Sequence, residues 1–157
     1  MPCTVHKTTR WSNPDLVQLL LEAGAIMSAR NDDGETPLIG FASHMSGPCV
    51  NAYHVHGKGV NHRLEAFIDI LRYSPDVNAK NTKGQSALHA LSHGYLRGPM
   101  TDGRFKAAKL LIAQGADITS LDADGNTART LFIRNDTDLL LQNDSELVRL
   151  LGNPITM

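Results

Sequence analysis

Apolar positions in this chain come in short bursts at helical spacing, separated by polar stretches that close on glycine. Leu16, Val17, Leu20 and Leu21 form the first burst and Leu64, Phe67, Ile68 and Leu71 the second. Ala107, Ala108, Leu111 and Ile112 form the third. Residues three and four apart lie on one face of an α-helix, so each burst predicts a helix with one buried side. The first has a clear start signal. Asn13 is placed to cap it, Pro14 fits the first helical position, and Asp15 complements the positive end of the helix dipole.

The polar stretches repeat. Ten positions separate Gly24 from Gly34, Ser74 from Gly84, and Gly115 from Gly125, and the residue types between them agree. Gly24 and Gly115 stand where a helix turns out through a left-handed residue. A polar turn then closes on Gly34, Gly84 or Gly125. After it, Thr36-Pro37-Leu38, Ser86-Ala87-Leu88 and Thr127-Ala128-Arg129 open a second short helix, with the hydroxyl residue as its start. Each unit therefore reads as helix, exit, turn, helix.

Three stretches carry a resemblance. They are Gly34-Glu35-Thr36-Pro37-Leu38, then Asp76-Val77-Asn78-Ala79-Lys80 with Ser86-Ala87-Leu88-His89-Ala90, then Leu110-Leu111-Ile112-Ala113-Gln114-Gly115-Ala116-Asp117. Together they resemble the ankyrin repeat, with its Thr-Pro-Leu-His start and a second helix ending in Gly-Ala-Asp. The resemblance covers nearly the whole chain. It implies an all-α fold, an ankyrin-repeat solenoid of stacked helix-turn-helix units with short hairpin-like turns. Residues 1–157 then form a single domain, with a partial repeat at about 9–30 and repeats at about 31–80, 81–120 and 121–152.

The chain departs from the family in length and in detail. The family period is ~33 residues, whereas the turn glycines lie 50 apart (34 to 84) and then 41 apart (84 to 125). The excess falls between the two helices of a unit, roughly from His44 to His62 and from Tyr95 to Gly103, with a further link from Asn135 to Asp144. Lengthening a surface loop costs little closure entropy, and such inserts usually map to one face. The signature histidine survives as His89, while Ile39 and Thr130 replace it elsewhere. In the family that imidazole fixes the turn, so the implied role of His89 is structural. Ser74 stands where a left-handed glycine is expected, and Pro75 disfavours helical geometry there, so that helix is expected to end differently. Before the first apolar helix only Thr8 to Ser12 remain, too little for a convincing partner helix. Ser145 to Leu151 reads as the final helix, stopped by Gly152 and Pro154.

Composition adds exclusions. A net charge of -1 gives no reason to expect nucleic acid or an anionic membrane as partner. Two cysteines, Cys3 and Cys49, are too few to staple a secreted mini-domain and read as reduced thiols of an intracellular, cytoplasmic protein. Met1 to Trp11 is polar, without the apolar run of a signal peptide, and no stretch approaches the ~20 apolar residues of a membrane helix. His44, Cys49, His54, His56 and His62 include the ligand types zinc takes, but at the spacing of no recognised finger. A metal-binding or catalytic module on the insert 44–62 is therefore the alternative, and a histidine-rich polar loop without metal the leading reading. Neither cysteine has a nucleophile motif around it, and Gly57-Lys58-Gly59 lacks the strand a phosphate loop needs. No enzyme activity and no cofactor are expected.

What the resemblance implies instead is an adaptor, scaffold or inhibitor that binds another protein through a concave surface of turn tips and first-helix faces. Transferring the turn positions gives Asp32, Asp33 and Glu35, then Thr82, Lys83 and Gln85, then Ala123, Asp124 and Asn126. The helix-face positions are Ser43, His44, His93, Arg134 and Asn135. Three carboxylates at one end, with Asp124 further along, suit a protein partner with basic or donor-rich groups. Such charge steers association and selects partners more than it sets affinity. The chain by itself is expected to be a monomer.

Overall fold

A computed structural model describes residues 14–45, 61–73, 76–92, 102–135 and 149–152. Among these residues the named helices are α1 (Pro14–Glu22), α2 (Pro37–His44), α3 (Asn61–Tyr73), α4 (Ala87–Ser92), α5 (Asp102–Ala113) and α6 (Ala128–Asn135). Among the described residues there is no strand, only an isolated antiparallel bridge between Leu121 and Thr127. The described part of the chain is mainly helical.

The helices fall into two rows. α2 packs on α4 and α4 on α6, while α1 packs on α3 and α3 on α5. Contacts of α2 with α3 and of α4 with α5 tie the rows together. The chain thus alternates between rows, and every connection from the α1–α3–α5 row back to the other row passes through one of the polar turns.

Local chemistry sets the ends of these helices. Thr36 is extended (φ -78, ψ 163) and its hydroxyl accepts from the Ile39 N–H at 3.4 Å, with Pro37 at the start of α2. After α1, Gly24 at φ 80 donates to the Leu21 carbonyl and Ala25 to that of Leu20, both at 3.0 Å. After α5, Gly115 at φ 87 donates to Ile112 at 3.0 Å and Ala116 to Leu111 at 2.9 Å. These paired bonds satisfy carbonyls that the helix leaves open, and they need the left-handed residue that glycine supplies most easily. α3 runs to Tyr73, and Ser74 and Pro75 lie outside the described residues.

The core lies between the rows. All six residues of α4 are buried, as are Pro37 to Ala42 of α2. α3 supplies Ala66, Phe67, Ile70 and Leu71, and α5 supplies Ala107, Ala108 and Leu111. The Phe41 and Phe67 rings meet across the rows with centroids 6.0 Å apart. Alanines on both rows let backbones approach closely, while each large apolar side chain fully buried contributes about 1.5–3 kcal/mol. The apolar faces expected from periodicity are half-buried or better wherever their side chains are described. Ala66 and Ile70 join them.

Three boundaries differ from expectation. His44 ends α2, and its successor Met45 caps that helix with its N–H on the Ala42 carbonyl. α3 begins at Asn61, so His62 stands in a helix rather than in an insert, and Asp102 and Gly103 likewise belong to α5. The reason is that the first turns of α3 and α5 carry polar residues, whereas the apolar bursts begin only a turn later. The rest of the inserts, 46–60, 95–101 and 136–144, lies outside the described residues, as do Thr8 to Asn13 and most of the expected final helix. Of that helix, Leu151 is buried and Gly152 follows at φ 85. No described helix is long and apolar enough to cross a membrane.

Candidate interaction surface

Each polar turn is built around one side-chain acceptor. Asn31 Oδ1 accepts from the N–H groups of Asp33 (3.0 Å) and Glu35 (2.8 Å). Asn81 Oδ1 does the same for Lys83 (3.0 Å) and Gln85 (2.9 Å), and Asp122 Oδ1 for Asp124 (3.0 Å) and Asn126 (2.8 Å). The backbone closes behind them, with Asn31 N–H on the Glu35 carbonyl at 3.1 Å, Asn81 on Gln85 at 3.0 Å and Asp122 on Asn126 at 2.9 Å. A short Asn or Asp side chain that captures two backbone donors stabilises a turn without any other secondary structure.

The three turns lie edge to edge. Thr82 donates its N–H (3.0 Å) and its hydroxyl (2.9 Å) to the Asp33 carbonyl, and the Ala123 N–H donates to the Lys83 carbonyl at 3.0 Å. Cationic straps reinforce this order. Arg30 Nη1 donates to the carbonyls of Gly34 (2.7 Å) and Lys80 (2.6 Å), and Lys80 Nζ donates to that of Leu121 (2.8 Å). In the third turn Leu121 takes the cation's place and is 52% exposed. The Asn78 amide bridges further back, donating to the Gly115 carbonyl at 3.1 Å and accepting from the Asp117 N–H at 2.8 Å. Sequence reasoning assigned no role to Asn31, Asn81, Asp122, Arg30 or Lys80. The signal was present, since each set stands at a fixed distance before the closing glycine.

The expected surface residues separate into two groups. Asp32, Asp33, Thr82, Lys83, Ala123 and Asp124 are exposed at the tips. Glu35, Gln85 and Asn126 are half-buried and face back into their own turns. Asn31 Nδ2 donates to Glu35 Oε2 at 3.0 Å, Asn81 Nδ2 to Gln85 Oε1 at 3.4 Å, and Asn126 Nδ2 to Asp122 Oδ1 at 3.2 Å. These three side chains therefore close the turns. Ser43 and His44 are half-buried at the end of α2, where the Ser43 hydroxyl (2.8 Å) and His44 Nδ1 (2.7 Å) both donate to the Gly40 carbonyl. Arg134 is exposed on α6, Asn135 ends that helix, and His93 lies outside the described residues. Because α4 is buried on all sides, the exposed residues brought together are chiefly those of the tips.

Charge at the turns is held by hydrogen bonding. Burial acts to raise the Asp122 carboxyl, but donors from Asn126 and Asp124 outweigh it and hold the group below its ordinary range. The hydroxyl and N–H of Thr119 likewise lower the exposed Asp117 carboxyl. His89 is fully buried in α4. Its Nδ1 meets the Ser86 N–H at 3.3 Å and the Ser86 hydroxyl at 2.9 Å, and its Nε2 meets the Asn126 carbonyl at 3.2 Å. A backbone N–H can only donate and a carbonyl can only accept, so the ring is neutral with its proton on Nε2. Burial lowers its pKa, against the opposing effects of the Asn126 carbonyl and Asp122. At the equivalent place in the third unit, the Thr127 and Thr130 hydroxyls bond each other at 3.0 Å.

Among the described residues no three His, Cys, Asp or Glu side chains converge as a metal site. Cys49, His54 and His56 of the proposed zinc alternative lie outside them.

No family model matches the chain. Curated relatives include the potassium channel AKT1 of Oryza sativa subsp. indica and that of subsp. japonica. Each is 37% identical over 67 residues, which is 43% of this chain and 6% of the channel. The likeness is thus confined to less than half of this chain and to a small part of each channel.

Proposed function

We propose that the chain is an ankyrin-repeat domain that binds a partner protein through its turn tips. The observation that carries this reading is the edge-to-edge registration of three like turns. It presents Asp32, Asp33, Lys83, Ala123 and Asp124 as one continuous exposed strip. Helix, left-handed exit, Asx-anchored turn and hydroxyl-started helix recur in the order of the family's repeat. The 67-residue match to the potassium channels is about two family repeats long. The fold itself binds nothing in particular, so function rests on the strip and its chemistry. Its carboxylates favour a partner with basic or donor-rich groups, and steering by such charge weakens with salt.

A photo-crosslinking residue placed at Asp33, at Lys83, or at the exposed Leu19 of α1 tests this directly. Capture of the same protein from the first two sites, lost in a folded Asp32→Lys/Asp33→Lys variant, is the expected result. Capture from Leu19 alone, or capture unaffected by the charge reversal, would overturn it.

A further inference from the structure

His89 is the described imidazole that joins one helical unit to the turn of the next. It is fully buried at the start of α4 and reaches the following unit through the Nε2–H donated to the Asn126 carbonyl, with the Ser120 backbone also acting on the ring. That carbonyl also accepts the Asp122 N–H at 2.9 Å, so the ring grips the bond that closes the third turn. In the first unit the corresponding residue is the apolar Ile39, buried in the core, and in the third it is the exposed Thr130. Among the described residues, therefore, the junction between the second and third units is the one held by a group that titrates near neutral pH.

We propose that protonation of His89 unlatches the third turn from the second unit, making that junction acid-sensitive while the first junction is not. The neutral ring fits because Nδ1 offers a lone pair to the Ser86 N–H and hydroxyl. A proton on Nδ1 sets N–H against N–H and leaves the Ser86 amide without its acceptor, at a site where both residues are buried. Opening the turn hydrates the ring and removes the conflict. The charges acting on the ring are Asp122 of the third turn, which favours the cation, and Lys80 of the second, which opposes it. The helices packed on α4 bring Arg104, Lys106 and Lys109 on α5, Arg129 and Arg134 on α6, and His44 at the end of α2. Asp102 opens α5. Of these groups none is among the charges that act on the ring, and the cost of a buried imidazolium comes chiefly from burial, with Lys80 adding to it. Asp122, kept ionised by the donors Asn126 and Asp124, offsets part of that cost without reversing it.

The two inter-turn amides are the reporters: Ala123 N–H on the Lys83 carbonyl for the second junction, and Thr82 N–H on the Asp33 carbonyl for the first. Their hydrogen exchange, corrected for intrinsic rates, is followed by NMR from about pH 7.5 to about pH 5.5, with the His89 ring titrated in the same spectra. Because a ring with an ordinary pKa in the open state takes up one proton, the opening constant at Ala123 is expected to rise by up to about tenfold over that range. Thr82 is expected to stay unchanged, and His89→Gln, which cannot titrate, to abolish the dependence at Ala123. Constant protection at Ala123, equal loss at both junctions, or an unaltered pH dependence in His89→Gln would overturn the proposal. Should that variant not fold, the wild type still decides. Amide shifts of Asn126 and Thr127 that titrate apart from the ring overturn it, and shifts that follow the ring support it.

Discussion

Gly34, Gly84 and Gly125 adopt the same left-handed geometry, with φ of 71, 71 and 77, yet their surroundings differ. A Cβ on Gly84 would lie 2.9 Å from the Ala123 nitrogen, and one on Gly34 3.1 Å from the Thr82 nitrogen. A Cβ on Gly125 meets nothing within 4 Å. Gly125→Ala should therefore cost only the strain of a left-handed alanine, about 1–2 kcal/mol. Gly84→Ala adds a backbone collision between turns and should cost about 1–3 kcal/mol more. Urea unfolding of the two variants checks this, and equal losses would mean that the close approach of neighbouring turns has no energetic weight. The turn glycines were legible in the sequence because their spacing repeats. The difference between them was not, because it depends on which turn lies beside each.

At the scale of elements, the six-residue α4 is too short to persist alone. Its stability comes from what covers it. Arg104 of α5 is buried and donates Nε (3.0 Å) and Nη2 to the Leu91 carbonyl near the end of α4. Its guanidinium also lies 5.6 Å from the Phe132 ring of α6, so one side chain touches three helices. A cation there meets the negative end of a helix and carbonyls left open by it. Arg104→Met should lower stability by about 2–4 kcal/mol, since the lost bonds are charge-assisted and the carbonyl stays buried. A change below about 0.5 kcal/mol in denaturant unfolding would show that water replaces the guanidinium without loss. Nothing in the sequence marked Arg104. It lies in the polar first turn of α5, 13 residues from its acceptor, across an insert.

For the whole molecule, a group whose pKa differs between the folded and unfolded chain makes global stability depend on pH. His89 has a folded pKa below its ordinary 6.5, so the unfolded chain binds the extra proton first as pH falls. Its contribution is complete above about pH 6.5 and declines below it. Asp122 has a folded pKa below its ordinary 3.8, so its contribution is present above that value and is lost as pH falls toward the folded pKa. Urea midpoints measured across the acid range should fall in two stages, with His89→Gln removing the first and Asp122→Asn the second. Stability that rises between neutral pH and about pH 5 would contradict the sign assigned to His89, and stability that rises as pH falls below about 4 the sign assigned to Asp122.

The sequence by itself determined the helical class, the apolar faces, the left-handed exits at Gly24 and Gly115 and the start of α2 at Thr36. All of these depend on residues within a few positions of one another, where spacing, backbone freedom and capping chemistry act directly. It also supplied the turn positions, as a repeating pattern without depth. Only the tertiary structure decided which of those positions face outward. Asp33 and Lys83 offer their carbonyls to the next turn and their side chains to solvent, whereas Glu35, Gln85 and Asn126, read from the sequence as surface residues, fold back onto the acceptors that hold each turn. Those bonds, like the grip of His89 on Asn126 and of Arg104 on Leu91, join residues whose meeting is fixed by the stacking of the two helix rows. Local pattern cannot encode that stacking distance, because it is set by the volumes of the alanines and phenylalanines that fill the space between the rows.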